Sequence, residues 1–128
     1  MLAQLSNAMV RLYKQHFGKG PTRVRAHYQG DVITCVLRDG FTRAERTLID
    51  AGRASAALAH RHELQQAVRA DFITTVEEIV GRQVIGFFSG SQPDPDIEVE
   101  VFVLASPTAS DQSSKESRAP DWLPPPVK

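Results

Sequence analysis

Two glycines and a proline fall within four residues, Gly18-Lys19-Gly20-Pro21, and they split the start of the chain into two conformational regimes. Before them, Leu2, Leu5, Met9, Leu12 and His16, with Ala8 and Tyr13 alongside, recur at spacings of three and four, which is one apolar helix face. After them, apolar residues alternate with polar ones. Gly18 is a natural left-handed stop for the helix, and Pro21 prevents its resumption. The chain must therefore turn from helix into strand at this point. It does so with three cations, Lys19, Arg23 and Arg25, beside the turn.

The next two segments read as strands. Val24, Ala26 and Tyr28 form one face of the first; Ile33, Cys35 and Leu37, or Val32, Thr34 and Val36, form the faces of the second. Gly30-Asp31 between them predicts a hairpin, and Asp39-Gly40 ends its second strand. Thr42-Arg43-Ala44-Glu45 then follows the capping-box pattern, in which the threonine hydroxyl accepts from the Glu45 amide while the Glu45 carboxylate reaches back to the Thr42 amide. A short helix to Asp50 with Gly52 as its stop is predicted. A longer helix follows from residue 54 to residue 80, with Leu64, Val68, Phe72, Val76, Ile79 and Val80 as its stripe and Gly81 as its end.

Residues 83–89, with Val84, Ile85, Phe87 and Phe88, predict a strand covered on both sides. Beyond a Pro-Asp-rich loop, Ile97, Val99, Val101 and Val103 alternate with Glu98, Glu100 and Phe102. That pattern predicts a strand with its valine face buried and its glutamate face mostly wet. The order α-β-β-α-α-β-β gives an α+β fold: a four-stranded, mainly antiparallel sheet with helices packed on one face. Residues 1–104 make a single domain. Residues 105–128 change composition towards Ser and Pro, show no periodicity and are expected to be a disordered tail.

The 128 residues carry no net formal charge, but the charge is unevenly spread. Residues 1–53 hold nine Lys and Arg against four Asp and Glu; residues 71–100 hold one against seven. Oppositely charged faces of this kind suit an anionic partner or a second copy of the chain.

Most chemistries lack their residues. One cysteine, Cys35, allows no internal disulfide and sits where a small buried hydrophobe belongs. His60 and His62 point in different directions on a helix, and His16 and His27 belong to other elements, so no zinc spacing exists. No Gly-x-Ser-x-Gly or other nucleophile with a base is present. The glycine turn is not a phosphate loop, because that loop needs a strand before it and a helix after it, and here the order is reversed. Near-neutral charge and the lack of an aromatic-basic stacking motif argue against nucleic acid. No apolar run approaches the roughly 18 residues of a membrane span. Residues 1–17 lack the continuous apolar core of a signal peptide. The expectation is a cytoplasmic chain without membrane insertion, metal or cofactor, and a binding module ahead of an enzyme.

The ordered set of motifs resembles a known family. An N-terminal helix running into Gly-Lys-Gly-Pro with Arg25 shortly after, a hairpin leading to Phe41-Thr42-Arg43-Ala44-Glu45-Arg46-Thr47-Leu48, and Arg61 ahead of a helix ending Val76-Glu77-Glu78-Ile79-Val80-Gly81 together resemble the MpsC family, a component of a sodium-translocating, membrane-potential-generating system. The resemblance implies an accessory protein linked to cation or inorganic-carbon transport, with a membrane transport protein as partner. It singles out Gly18, Lys19, Gly20, Pro21, Arg25, Thr42, Glu45 and Arg61. The glycines, Pro21, Thr42 and Glu45 have structural reasons as turn and cap. Lys19, Arg25 and Arg61, with the neighbouring Arg23, are the expected anion- or partner-binding residues. Open sheet edges and the uneven charge suggest a homodimer. The alternative reading is a small enzyme or sensor acting on an anionic or phosphorylated small molecule.

Overall fold

The computed structural model describes residues 1–106. Eight elements follow one another: α1 (Leu2–Phe17), β1 (Arg23–Gln29), β2 (Val32–Arg38), α2 (Arg43–Asp50), α3 (Ala54–Ala67), α4 (Arg69–Val80), β3 (Val84–Pro93) and β4 (Asp96–Leu104). The strands form one antiparallel sheet in the order β1-β2-β4-β3. The fold is α+β, as the sequence predicts. The expected tail lies outside the described residues.

Local chemistry accounts for most of the boundaries. Gly18 ends α1 in the left-handed region (φ 82°), and its amide bonds the Lys14 carbonyl. Gly30 (φ 61°) opens the tight turn between β1 and β2. Thr42 caps α2 with both reciprocal bonds of the capping box in place. The predicted helix over residues 54–80 is in fact two. At Val68 the backbone leaves helical values (φ −107°, ψ 9°), ending α3 and starting α4. The break comes at a β-branched residue, where helix propensity is low. Both pieces still bury a face: Ala57, Arg61 and Gln65 from α3, and Phe72, Thr75 and Val76 from α4.

The helices line one face of the sheet. Leu5, Met9, Leu12, Tyr13 and Phe17 of α1, with Phe72 and Val76 of α4, close over Ile33, Cys35 and Leu37 of β2. Aromatic rings run through this core: Tyr13 meets Phe17 edge-on at 4.9 Å, Phe72 stacks on Phe87 at 5.9 Å, and Phe87 stacks on Phe102 at 4.5 Å.

The strand β4 reverses the sequence expectation. Its inward set is Asp96, Glu98, Glu100, Phe102 and Leu104, all buried, while Ile97, Val99, Val101 and Val103 lie half-buried on the opposite face. The cause is register. Directly paired residues of an antiparallel ladder share a face. Glu100 pairs with Cys35, Glu98 with Leu37 and Phe102 with Ile33, and those β2 residues are wholly buried. Three of the seven acids counted in residues 71–100 are therefore interior, and the expected acidic surface is correspondingly reduced. Likewise, among the described residues β3 is not covered on both sides. Ile85 and Phe88 are 60% and 64% exposed.

Candidate functional site

The corner after α1 is tied to the far end of β2. The Thr22 amide donates to the Arg38 carbonyl at 2.9 Å, the Thr22 hydroxyl donates to the Asp39 carboxylate, and Lys19 Nζ donates to the Asp39 carbonyl. A Cβ on Gly20 would press into the Lys14 side chain, so the corner lies closely against α1 and a larger residue would make that side chain move aside. The corner therefore has a fixed shape. From it β1 leaves as an edge strand, and Arg23 and Arg25 stand exposed on its outward side, the side turned away from the helices. Among the described residues neither arginine forms an ion pair. Arg38, paired with Arg23 across the ladder, adds a third guanidinium to that end of the sheet.

Arg61 lies elsewhere. It is fully buried, with Nε 3.1 Å from Glu45 Oε2, Nη2 2.5 Å from Glu45 Oε1 and Nη2 2.7 Å from the Gly40 carbonyl oxygen. Its guanidinium carbon lies 4.4, 5.2 and 5.5 Å from the ring centres of Phe17, Phe41 and Tyr13. The fold thus brings Lys19, Arg23 and Arg25 together and places Arg61 in the interior, where it binds α3 to the cap of α2. Burial works against the charge on Glu45, but hydrogen bonds from Arg61 and from the Thr42 amide, together with the Arg61 charge, outweigh it. They hold the Glu45 carboxyl below its ordinary value.

Beneath the sheet lies a layer of interior carboxylates that strand periodicity misassigned. Asp96 accepts from the Gly40 and Phe41 amides at 3.2 and 3.1 Å and from Arg46 at 3.3 Å. Glu100 accepts from the hydroxyls of Tyr13 and Ser89. Glu98 is fully buried, no donor reaches its carboxyl oxygens, and the hydrogen bond it can make is to the neighbouring Asp96 carboxylate, which requires a proton on Glu98. Burial first, then the Asp96 charge, pushes Glu98 up to about 8, and burial pushes Glu100 up to about 7. Gly40 is the residue that makes room for this layer, because a Cβ there would overlap the Glu98 carboxylate and crowd the Tyr13 ring. One sequence signal pointed to the arrangement: Phe102, the largest apolar residue of the strand, has the parity of the glutamates and not of the valines.

The outward face of the sheet is the other large feature. Val32, Thr34 and Val36 of β2 and Ile97, Val99, Val101 and Val103 of β4 form its centre, all half-buried. Exposed Phe88 stands on the β3 side, and Arg23, Arg25 and His27 stand on the β1 side. No strand position on this face is acidic.

Cys35 is wholly buried, and burial, with the nearby Glu100 charge second, pushes its thiol up to about 12, so it behaves as a core residue. Among the described residues no three His, Cys, Asp or Glu side chains are grouped so as to hold a metal ion, and no helix is long and apolar enough to cross a membrane.

The family model described as the Na+-translocating membrane potential-generating system (MpsC) matches residues 1–106. No curated protein and no solved structure matches the chain.

Proposed function

Since the chain belongs to the MpsC family, we propose that it is a non-enzymatic accessory or regulatory module of a Na+-translocating, membrane-potential-generating system, and that it acts by binding. The binding surface is the basic corner: Lys19, Arg23 and Arg25 at the start of β1, with Arg38 beside them. What carries this reading is the state of Arg23 and Arg25. Two guanidinium groups stand exposed, one strand step apart, on a rigid edge and without a carboxylate partner among the described residues. Guanidinium pairs of this kind suit carboxylate or phosphate groups, which they contact in bidentate fashion. The partner is therefore an anionic segment of a membrane transport protein, or a small anion such as those that transport systems handle. Cytoplasmic location belongs to the same reading.

The test is the triple variant Lys19→Ala, Arg23→Ala, Arg25→Ala, compared with the wild-type chain in capture from native membranes. The wild type should retain a membrane component of the Na+-translocating system, and the variant should lose it with a melting temperature nearly unchanged. Equal retention by both proteins would place the binding surface elsewhere.

A further inference from the structure

The two edges of the sheet are not alike. On the β3 side an irregularity separates Val84 from Gly86, Arg69 Nη1 donates to the Phe87 carbonyl at 2.8 Å, and Pro93 closes the strand. On the other side β1 runs for seven residues in unbroken register with β2, without a proline or a glycine. Every second residue of an edge strand directs its N–H and C=O away from its neighbour. Among the described residues no group bonds that outer row of β1. We infer that the free edge of β1 takes up an extended acidic segment of another protein as a fifth strand, with acidic side chains two residues apart set beside Arg23 and Arg25. The inference rests on the basic corner being a binding surface, and it gives that surface its class of ligand.

Alternation along β1 states what such a segment contains. Arg23, Arg25 and His27 are exposed on the outward face, and Val24, Ala26 and Tyr28 are half-buried on the inward one, against the core. Residues directly opposite in neighbouring strands share a face. The two arginines stand about 6.8 Å apart along the strand, which is also the spacing of alternate residues in an added strand. An Asp or Glu opposite each arginine then lies about 5 Å away between Cβ atoms, within reach of a guanidinium. The residues between the acids turn inward beside Val24, Ala26 and Tyr28, which suits apolar side chains. Val10 of α1, half-buried, stands at the start of that side, 3.4 Å from the place a Cβ on Gly20 would take.

Charge selects this occupant over the others within reach. Arginines on an edge deter a basic strand and admit an acidic one. A second copy pairing β1 against β1 in antiparallel fashion would gather four arginines on one face with no acid among them. Residues 107–128 hold three acids, Asp111, Glu116 and Asp121, and no two of these are two residues apart. That spacing does not match Arg23 and Arg25 together. A small anion uses the two charges and leaves the backbone row unused, whereas an added strand uses both.

Calorimetric titration of the full chain with acetylated, amidated peptides as long as β1, alternating Glu with Val, tests the inference. The wild type should bind the peptide, and amide exchange should slow in β1 and not in β3. Two further peptides carry N-methyl groups on all the Glu amides or on all the Val amides. One of them should lose binding and the other keep it, because only one set of amides faces β1. Arg23→Glu with Arg25→Glu should weaken the Glu peptide at least about tenfold and accept a Lys–Val peptide in its place, with an unchanged melt. A wild type that ignores the Glu peptide overturns the inference. Equal binding of both N-methylated peptides overturns it in favour of charge alone. The reading beneath it fails separately. Membrane capture that depends on Lys19, Arg23 and Arg25, without peptide binding, keeps the basic corner and overturns the added strand; peptide binding with capture unaffected by the triple variant does the reverse.

Discussion

At Glu98 the fold holds a carboxyl group with no exposed surface and no donor to its oxygens, beside the acidic Asp96, with which it can share a proton. Its folded value of about 8 lies above the ordinary 4.5, and Glu100 lies above it too, at about 7. A carboxyl group of this kind binds its proton more tightly in the folded chain than in the unfolded one. Its contribution to stability is therefore complete below 4.5 and is lost progressively as pH rises towards 8. Glu45 runs the other way, since its lowered value adds stability above 4.5 that is lost only on strong acidification. The wild type should accordingly melt at a higher temperature at pH 5 than at pH 8.5. Glu98→Gln should match it near pH 5 and exceed it at pH 8.5 by at least about 1 kcal/mol, the worth of roughly one pH unit of displaced titration. Thermal melts at the two pH values measure the first quantity and denaturant melts the second. A variant less stable than the wild type at pH 8.5 would show that Glu98 is ionised and usefully paired there.

At the scale of elements, one ion pair links two helices and a loop. Arg61 on α3 reaches Glu45 on α2 and the Gly40 carbonyl at the end of β2, and Glu45 also closes the cap on Thr42 at 2.8 Å. Removing the arginine leaves the buried Glu45 carboxylate only the Thr42 amide and the half-exposed His60 ring, 3.0 Å from Oε2, so Arg61→Met should cost about 3 kcal/mol. Adding Glu45→Gln should recover a large part of that loss, because glutamine keeps a carbonyl oxygen for the Thr42 amide. A double-mutant cycle in urea checks the sign, and additive losses would mean the two groups act independently. The cap itself was legible in the chain because it is local: four residues state it. Helix α1 and the β1–β2 hairpin were legible for the same reason, through Gly18 and Gly30-Asp31. The inward face of β4 was not, because alternation states only that two faces differ. Which one turns inward is decided by pairing with Cys35 and Leu37, more than sixty residues away in the chain. For Arg61 a salt bridge to Glu45 was a reading open from the chain, but a lone arginine on a helix gives no sign of the burial and of the three aromatic rings around it.

At the scale of the molecule, protection should decline from the middle of the sheet outwards. Strands β2 and β4 are bonded on both sides and sit beneath α1 and α4, whereas β1 and β3 each have one free edge. Helix α2 buries only Glu45. Hydrogen exchange should find the slowest amides in β2 and β4 and the fastest helical amides in α2, since opening α2 exposes little apolar surface. Uniform exchange across all helices would indicate that α2 opens only with the whole domain.

Arg82 gives the molecule a fixed point of departure. Its guanidinium holds the Gly30 carbonyl at 2.9 Å, Asp31 at 2.5 Å and the Ala105 carbonyl at 2.7 Å, which staples the end of β4 to the turn between β1 and β2. The basic corner lies at the other end of β1, about 20 Å away for a strand of this length. A fluorophore or a surface tether placed at residue 106 therefore sits at the stapled end. An instrument that holds the chain there would present the arginines of the corner to solution unobstructed.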